Sequence, residues 1–456
     1  MAENNCVPPT DMFASASSLP KALVDKNGLP YKSTKSSTTK YLMKRYKDSP
    51  IISSHLPWFP TSVILEGMFM IQSAPLPTNE NMKEYANMLF IRYVKFHYTS
   101  NAIDVHVFFD NPGGLPESPK EIEQGRRDAA TLTEQHQCLA TIASSTAVPK
   151  NWRLFLGCRT CKAKLTSYLA EEFLQVAPGY MRNSDQEFFS NQKGRVYSVN
   201  QHNELLQRPS YFTNMDEADM RIWLHCMHGS GQRVLIFSPD TDVYHIGLVV
   251  AQHIPHKSIV IQLSKSLVDS ASFLDLNALL QALQGDPDLC NLPPPLRPQA
   301  LQSLYVCTGC DYISFFAGIG KCTFLSTFFQ YASFIASGSD PPGSIGQISL
   351  NHSDLSLYSF MRLVGCAYFR SHTSAFEHTS PVSLYHSLSS TTLFDTHKQW
   401  LALIRKAVWL RADKESQNVP TAEALRLHWY RCLWVLGIWH SATENEFELP
   451  RKSYNL

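Results

Sequence analysis

Four short apolar runs in the first two thirds of the chain have the length and composition of buried β-strands. They cover residues 62–65, 105–109, 234–237 and 258–262, where Val, Ile, Leu and Phe predominate. The segments between these runs are long enough to hold helices. Apolar strands that alternate with helical segments are typical of an α/β fold with a largely parallel sheet. In such a sheet, ligands bind beyond the carboxyl ends of the strands.

Helical patterns occupy much of the remaining sequence. Residues 120–134 and 158–173 have helical periodicity, and the Pro-rich segment 293–298 predicts a stiff linker into a further helix. Towards the C-terminus, residues 400–410 and 422–439 predict helices with one apolar face and many aromatic side chains.

Composition divides the chain into three regions. Residues 1–57 are rich in Ser, Thr, Lys and Pro and predict a flexible N-terminal tail with one short helix. Residues 58–335 contain the strand-like runs and predict the α/β domain, which includes a helical insertion at about 128–205. A stretch rich in Ser, Gly and Pro then marks the beginning of a helical C-terminal region, residues 336–456.

The overall composition is that of an intracellular globular protein. A chain of 456 residues that is 44% hydrophobic can bury a substantial core in one or two large domains. No apolar run reaches the length of a membrane span, and the N-terminus lacks the order of a secretion signal. We therefore expect no membrane partner and a location in the nucleus or cytoplasm. The formal net charge of +1 argues against bulk electrostatic coating of nucleic acid, so phosphate contacts must be local.

The cysteines predict reduced thiols. Eleven cysteines are too few for a disulfide framework in a chain of this length, and their odd number leaves at least one unpaired. Two Cys-x-x-Cys pairs, Cys158 with Cys161 and Cys307 with Cys310, are able to offer four thiolates to a structural zinc ion. We do not favour this zinc site, because the second pair lies within another motif and a long sequence separates the two.

Three of the four predicted strands are followed by acidic residues. Glu66 follows the first, Asp110 the second, and Asp240 with Asp242 the third. Because the carboxyl ends of parallel strands meet at one edge, these acids should converge. Acids this close in an apolar setting are kept mainly where a cation or a shared proton compensates them. Each acid taken singly has another explanation, as a turn residue or helix cap, so the metal hypothesis depends on their joint occurrence.

A further acidic pair begins a predicted helix. The apolar spacing in residues 216–225 predicts a helix that begins near Asp216 and carries Glu217 and Asp219 in its first turn. Capping by Asp216 and the favourable interaction of acids with the helix dipole would explain this segment without a metal. On a regular helix, Glu217 and Asp219 would point about 200° apart, so both reach one site only if that first turn adjoins it.

A seventh acid, Asp311, lies in a Gly-containing motif, residues 308–321 (TGCDYISFFAGIGK). Gly318 and Gly320 precede a predicted helix, and glycines there would let backbone N–H groups approach a phosphate closely. Lys321 would add a cation. A Gly-x-Gly turn is weak support for such a site when taken alone.

The order of these segments resembles the flap endonucleases and XPG-type structure-specific nucleases of the PIN-like superfamily. Residues 309–321 are similar to part of the family's helix-two-turn-helix element, expected here at about 300–330. The Glu-Ala-Asp at 217–219 resembles its paired-acid helix, and residues 238–243 (SPDTDV) resemble its two-aspartate strand end. The segments that contain Glu66 and Asp110 are similar to those bearing the family's first acids. The resemblance spans roughly residues 60–330 and implies a PIN-like fold, with a largely parallel central sheet flanked by helices.

The resemblance implies a metal-dependent nuclease that cleaves phosphodiester bonds in branched or single-stranded DNA or RNA by a two-metal mechanism. Hard oxygen ligands favour Mg²⁺ or Mn²⁺. The residues that the resemblance assigns to the first ion are Glu66, Asp110, Glu217 and Asp219. Those assigned to the second ion are Asp240, Asp242 and Asp311.

Basic residues after Asp110 complete the implied site. The family places two basic residues there, facing the scissile phosphate, and Lys120 and Arg127 fit a spacing of seven that keeps them on one helical face. Ordinary surface charge is the alternative explanation for both. The residues expected to contact nucleic acid without a catalytic role are Arg126, Gly318, Gly320 and Lys321.

Two other functions remain open at this stage. One is a catalytically weak PIN-like scaffold that binds nucleic acid, or binds a protein partner through its C-terminal region. The other is phosphatase or phosphotransferase chemistry through an aspartyl nucleophile, which also uses Asp-x-Asp on a strand but needs fewer carboxylates. One departure from the family is Glu66, which stands where Asp is usual. The nearby His225, His228 and His245 are interpreted as structural.

Overall fold

The protein forms two compact units. The computed structural model describes residues 21–25, 29–78, 80–111, 141–192, 195–264, 271–338, 356–376, 379–390, 392–410 and 414–447. We call Pro50–Asn277 with Ser441–Glu448 the sheet unit. We call Met1–Ser49 with Ala278–His440 and Leu449–Leu456 the helical unit.

The described residues of the sheet unit form nine strands in the order β1-β9-β8-β7-β2-β3-β4-β5-β6. In chain order, β1 to β9 are Ile52–Ser53, Ser62–Glu66, Asp104–Phe108, Glu187–Gln192, Arg195–Asn200, Leu205–Gln207, Arg233–Phe237, Ser258–Gln262 and Phe273–Asp275. The central strands β8, β7, β2, β3 and β4 pair in parallel, and the pairs at both margins are antiparallel. The prediction of an α/β fold with a largely parallel central sheet is therefore confirmed.

The α-helices of the described residues occur in both units. In chain order, α1 to α16 are Ser37–Arg45, Gly67–Ser73, Met82–Tyr93, Lys95–Thr99, Trp152–Gly157, Arg159–Val176, Ala218–His228, Thr241–Val250, Leu276–Gln284, Arg297–Cys307, Lys321–Gln330, Ala332–Ala336, Leu357–Ser371, Pro381–His386, Leu393–Trp409 and Ala422–His440. Within the part of the chain that the structure describes, no helix combines the length and apolar character needed to cross a membrane.

Helices cover both faces of the central strands. Val63 and Leu65 of β2 belong to an apolar core that also contains residues of α3 and α6. Successive side chains of a strand point to opposite faces. On the other face, His106 and Phe108 of β3 contact His225 of α7, with ring centroids 5.3 and 3.7 Å away. Burial on both faces explains why these strands read as nearly continuous apolar runs in the sequence.

The predicted helical insertion at about 128–205 is helical only in part. α5 and α6 are helices as expected, but β4, β5 and the beginning of β6 lie in the same segment. Phe188, Val196 and Val199 are buried there, and aromatic and β-branched residues suit a pleated, half-buried surface. β4 then extends the sheet by pairing in parallel with β3. The helix predicted at 120–134 falls outside the described residues.

The helical unit is built around large aromatic side chains. Trp400 of α15 and Trp429 and Trp434 of α16 are at most 1% exposed. Gly365 lets α13 approach Trp400 closely, because a Cβ at that position would lie 2.4 Å from the indole ring. The helices predicted at 400–410 and 422–439 are confirmed as α15 and α16, although α15 begins earlier, at Leu393.

The compact units differ from the predicted domain boundaries. Residues 300–330, expected to belong with the strands, lie in the helical unit together with the helices after residue 356. The physical reason is packing, since α10 contacts α16, and α11 contacts α13 and α1. The short helix predicted in the N-terminal tail is confirmed as α1, and it packs against α11 of this unit.

Arg45 fixes α1 in the helical unit. Its Nε and Nη2 donate to the two oxygens of Asp286 at 2.7 and 2.6 Å, and the Tyr46 hydroxyl donates to the same carboxylate at 2.8 Å. The guanidinium also lies 3.6 Å from the ring centroid of Phe329. Burial raises the pKa of Asp286, but the hydrogen bonds and charge of Arg45, with the hydrogen bond from Tyr46, bring that pKa below its usual value.

Replacing Arg45 with Met should lower the free energy of unfolding by about 3 kcal/mol at pH 7, because the variant leaves a buried carboxylate without its cation. Urea unfolding measures this loss. The stability that the pair contributes is present above the unfolded pKa of Asp, about 3.9, and is lost as the pH falls through the folded pKa. The difference in the free energy of unfolding between R45M and the parent should therefore become smaller as the pH falls.

The matched control for R45M is K44M, at an exposed position of the same helix. It should change the free energy of unfolding by less than about 0.5 kcal/mol. Equal stability of R45M and the parent at pH 7 would show that the Asp286 contact does not hold α1 in place.

Candidate metal centre

The acids that follow the predicted strands lie at one edge of the sheet unit. β2 pairs in parallel with β3 and with β7, so the carboxyl ends of the three strands are neighbours. Glu66 is the last residue of β2 and is in register with Phe108, two residues before Asp110. Asp240 follows the end of β7. Since the chain continues from β2 to β3 on one side and returns as β7 on the other, this edge is a topological switch point, where ligands preferentially bind.

Ser238 connects the ends of β2 and β7. The buried Ser238 Oγ donates to Glu66 Oε2 at 2.8 Å and accepts a hydrogen bond from Asp240 N at 3.3 Å. Asp240 is the N-cap of α8, and its Oδ1 accepts from Asp242 N at 3.0 Å. One carboxylate oxygen of Asp240 lies within 4.8 Å of one of Asp242. The two acids after β7 are therefore close enough to serve the same ion.

The beginning of α7 is fixed at the carboxyl end of β3. Ala218 N donates to Asp110 Oδ1 at 3.1 Å, and Asn111 N donates to Asp216 O at 2.7 Å. The helix begins at Ala218, with Glu217 as an extended N-cap residue. The prediction of a helix that begins near Asp216 is confirmed, and the N-cap residue is Glu217 and not Asp216, which was the alternative explanation. A contact with β3, distant in sequence, sets this boundary instead of a local cap.

The acids at the beginning of α7 interact electrostatically with those that follow β2 and β7. Burial raises the pKa of Asp219 well above its usual value, and the negative charges of Glu66, Asp240, Glu217 and Asp242 raise it further. Five carboxylates from three segments of the sheet unit therefore share one region. Because Glu217 precedes the helix, the separation of about 200° expected on a regular helix does not apply to this pair.

Asp110 has different surroundings, because it lies near a buried cation that sequence reasoning missed. Arg221 of α7 is fully buried, and its Nη1 donates to Phe109 O at 3.3 Å. Burial lowers the pKa of Arg221 to about 10, while the charges of Asp110 and Asp216 oppose that shift. The available signal was a basic residue two positions after Asp219 in an otherwise apolar part of the helix.

Asp311 belongs to the helical unit. It follows α10, and its side chain is 42% exposed. Lys35 Nζ lies 3.0 Å from Asp311 Oδ2, and Lys32 Nζ donates to the Asp311 carbonyl at 2.7 Å. The role of Asp311 as a ligand of the second ion stays a prediction.

The glycine motif also belongs to the helical unit. Gly318 has a φ of +76°, which favours glycine, and Gly320 is the N-cap residue of α11. Lys321 is 3% exposed, and its Nζ donates to Tyr305 O at 2.5 Å and to Thr308 Oγ1 at 3.3 Å. These bonds direct the ammonium group to the end of α10, inside the unit. Contact of the three residues with nucleic acid stays a prediction.

The predicted basic residues Lys120, Arg126 and Arg127 lie outside the described residues. Their role at the scissile phosphate therefore stays a prediction.

Two of the three nearby histidines have surroundings that favour a structural role. His225 is fully buried against the rings of Phe108 and Tyr211, and burial lowers its pKa well below the usual value. His245 is also fully buried, and its Nδ1 donates to Thr241 O at 2.9 Å. His228 is exposed.

The two Cys-x-x-Cys pairs lie in different compact units. Cys158 and Cys161 belong to the sheet unit, and Cys307 and Cys310 to the helical unit. All four side chains are buried.

No protein-family profile matches the chain, and a search of curated proteins gives no match. The function must therefore be inferred from the residues at this edge and from the motifs that carry the nuclease resemblance.

Replacing Asp219 with Asn should stabilise the metal-free protein at pH 8 by on the order of 1 kcal/mol, because the neutral amide removes the cost of burying a charge and the repulsion by the neighbouring acids. The folded pKa of Asp219 is raised, so its ionisation costs stability as the pH rises from the unfolded pKa, about 3.9, through the folded value. The stability gained by D219N should therefore increase as the pH rises from the unfolded pKa to the folded pKa of Asp219. Urea unfolding in EDTA measures it.

D185N is the control for this charge change, since Asp185 is an exposed acid of the same unit. It should leave stability nearly unchanged. If D219N were less stable than the parent in EDTA at pH 8, the mutual repulsion of these acids would be refuted.

Gly247 lets the two acid-bearing helices, α7 and α8, approach closely. A Cβ at this position would lie 2.2 Å from two ring carbons of the buried Trp223. G247A should therefore force the helices apart and lower the free energy of unfolding by about 1–3 kcal/mol in urea.

The control for G247A is G437A on α16, where an added Cβ meets nothing within 4 Å. Because Ala favours helices, that variant should be unchanged or more stable by up to about 1 kcal/mol. A G247A protein as stable as the parent would mean that the helix pair accommodates the methyl group.

Proposed function

We propose that the protein is a metal-dependent nuclease that cleaves phosphodiester bonds in branched or single-stranded DNA or RNA. The observation that carries the proposal is the group of five carboxylates around Asp219 at the switch point of the parallel sheet. An aspartyl-nucleophile phosphatase needs fewer acids, so the size of this group favours the nuclease.

The topology supports a PIN-like assignment of the fold. Five parallel strands lie at the centre, and helices cover both of their faces. Six of the seven acids of the nuclease-like motifs, all except Asp311, lie at or after the carboxyl ends of those strands or at the beginning of the adjoining helices α7 and α8. This is the arrangement that the resemblance implies, and it makes the PIN-like assignment the one we favour.

The donors at this edge fit Mg²⁺ or Mn²⁺. They are carboxylate oxygens, which these hard cations prefer, and a divalent ion would relieve the repulsion that raises the pKa of Asp219. Under this proposal one ion is held by Glu66, Asp110, Glu217 and Asp219. The second is held by Asp240 and Asp242, and the resemblance alone assigns Asp311 to it.

The described residues would orient the ligands. Bound ions would supply an activated water and stabilise the leaving oxygen of the phosphodiester. The chain itself fixes the donors, because Ser238 holds the Glu66 carboxylate and the Asp240 side chain caps α8. Glu66 is one methylene longer than the usual Asp, and the hydrogen bond from Ser238 compensates by fixing its longer side chain. Lys120 and Arg127 are the proposed contacts to the scissile phosphate.

A scaffold function is the second candidate, and one surface feature favours it. Leu403, Trp409 and Leu410 at the end of α15 are 42%, 53% and 77% exposed. Exposed apolar side chains grouped in this way occur where proteins bind partners. Under this alternative the helical C-terminal region would bind a protein, and the acidic edge would have no catalytic role.

The nuclease proposal is tested by incubating the full chain with flap, nicked, hairpin and linear single-stranded substrates in Mg²⁺ or Mn²⁺. Cleavage should occur and should stop in EDTA. The D240N/D242N variant should lower the single-turnover rate by roughly 100-fold or more, because two of the proposed ligands become neutral. The control is E171Q/D185N, which neutralises two exposed acids of the same unit and should cleave normally.

Two outcomes would reject the nuclease proposal. One is the absence of cleavage of every substrate by the parent protein. The other is cleavage by D240N/D242N at the parent rate. Nucleic-acid binding without cleavage, with equal affinity for parent and variant, would support the scaffold.

A further inference from the structure

Arg221 is a buried cation in the sheet unit, with few hydrogen bonds. The residue is fully buried, and Nη1 donates to Phe109 O. Its Nε and Nη2 have no hydrogen-bond partner among the described residues. Burying a guanidinium costs several kcal/mol unless nearby groups compensate its charge. An arginine in this position therefore needs an electrostatic reason.

The nearby carboxylates supply that reason. The negative charges of Asp110 and Asp216 act favourably on the Arg221 guanidinium, although burial opposes its ionisation. Asp110 lies one residue after the carbonyl that Arg221 binds. Asp216 is 5% exposed and lies just before α7, the helix that carries Arg221.

Three hydrogen bonds join the end of β3 to the beginning of α7. Arg221 Nη1 donates to Phe109 O, Ala218 N donates to Asp110 Oδ1, and Asn111 N donates to Asp216 O. Two of these bonds, from Ala218 N to Asp110 Oδ1 and from Asn111 N to Asp216 O, have uncharged backbone N–H donors. Arg221 adds a charge to the same junction.

We propose that Arg221 is a positioning residue, an internal cation that holds Asp110 and Asp216 at the junction of β3 and α7 and so keeps Asp110 in place as a metal ligand. The statement about the ligand rests on the proposed function. The charge balance among the three residues does not, and it is testable without metal.

The charge balance is tested by a mutant cycle in EDTA. R221M should lower the melting temperature by on the order of 5 °C or more, because it removes the buried cation whose charge acts on Asp110 and on the buried Asp216. In a D110N/D216N background, R221M should lower the melting temperature much less, because the two carboxylates have been replaced by neutral amides. R221K keeps the charge and should lie between R221M and the parent.

R297M is the matched control. Arg297 is also buried, but its side chain donates to the backbone carbonyls of Leu292, Leu283, Gln284 and Asp286 in the helical unit. R297M should therefore lower the melting temperature by the same amount in the parent and in the D110N/D216N background. If R221M also lowered the melting temperature equally in the parent and in the D110N/D216N background, the proposed charge balance would be overturned.

The positioning role is tested by calorimetric titration with Mn²⁺ in the absence of nucleic acid. R221M should weaken Mn²⁺ binding by about 10-fold or more, as replacements of residues that orient metal ligands commonly do. R221K should restore most of the affinity, and R297M should bind as the parent does. A purely structural role for Arg221 would lower stability without changing Mn²⁺ affinity in the folded protein.

The two proposals fail in different ways. If the parent binds no Mn²⁺, the metal centre and the ligand-positioning role are both rejected, while the cycle in EDTA still decides the charge balance. If the parent binds Mn²⁺ and R221M binds it equally well, the metal centre stands and the positioning role of Arg221 is overturned.

Discussion

Electrostatic repulsion among carboxylates at one edge of a parallel sheet is the constraint on which this structure depends. Parallel strands bring the acids after β2, β3 and β7 to the same edge, and α7 adds Glu217 and Asp219. Burial and four neighbouring charges raise the pKa of Asp219, so the fold holds these groups together against their preference to separate. Ionisation of Asp219 therefore costs stability, and packing elsewhere in the sheet unit must offset that cost.

Short-range bonds and close packing keep the acids from separating. Ser238 joins Glu66 to the segment after β7, and Asp110 accepts a hydrogen bond from the first residue of α7. Behind these contacts, Gly247 allows α8 to lie against Trp223 of α7. Neither helix can move away without losing buried contacts. This rigidity is what a metal centre needs from its protein, since ligands that are already in place lose little entropy on binding.

The sequence predicts four of the five central strands, because β2, β3, β7 and β8 are continuous apolar runs, and it predicts the acids that follow three of them. It does not predict β4 to β6, where buried and exposed residues are mixed and β4 is identified only by its pairing with β3. The beginning of α7 depends on a hydrogen bond to Asp110, a residue distant in sequence. The electrostatic surroundings of Arg221 also depend on Asp110. The division into units depends on which apolar faces pack together, and no local pattern encodes that choice.

The acids at this edge differ in their electrostatic surroundings, and this difference bears on the choice between a catalytic centre and a scaffold. Asp110 lies near an internal cation, Arg221. Burial raises the pKa of Asp219, and the negative charges of Glu66, Asp240, Glu217 and Asp242 raise it further. A scaffold that binds no metal would gain stability from a neutral side chain at position 219, because an amide there removes both causes of the shift. The proposed function accounts for a carboxyl group in these surroundings, because a bound divalent ion would offset the negative charges that act on Asp219.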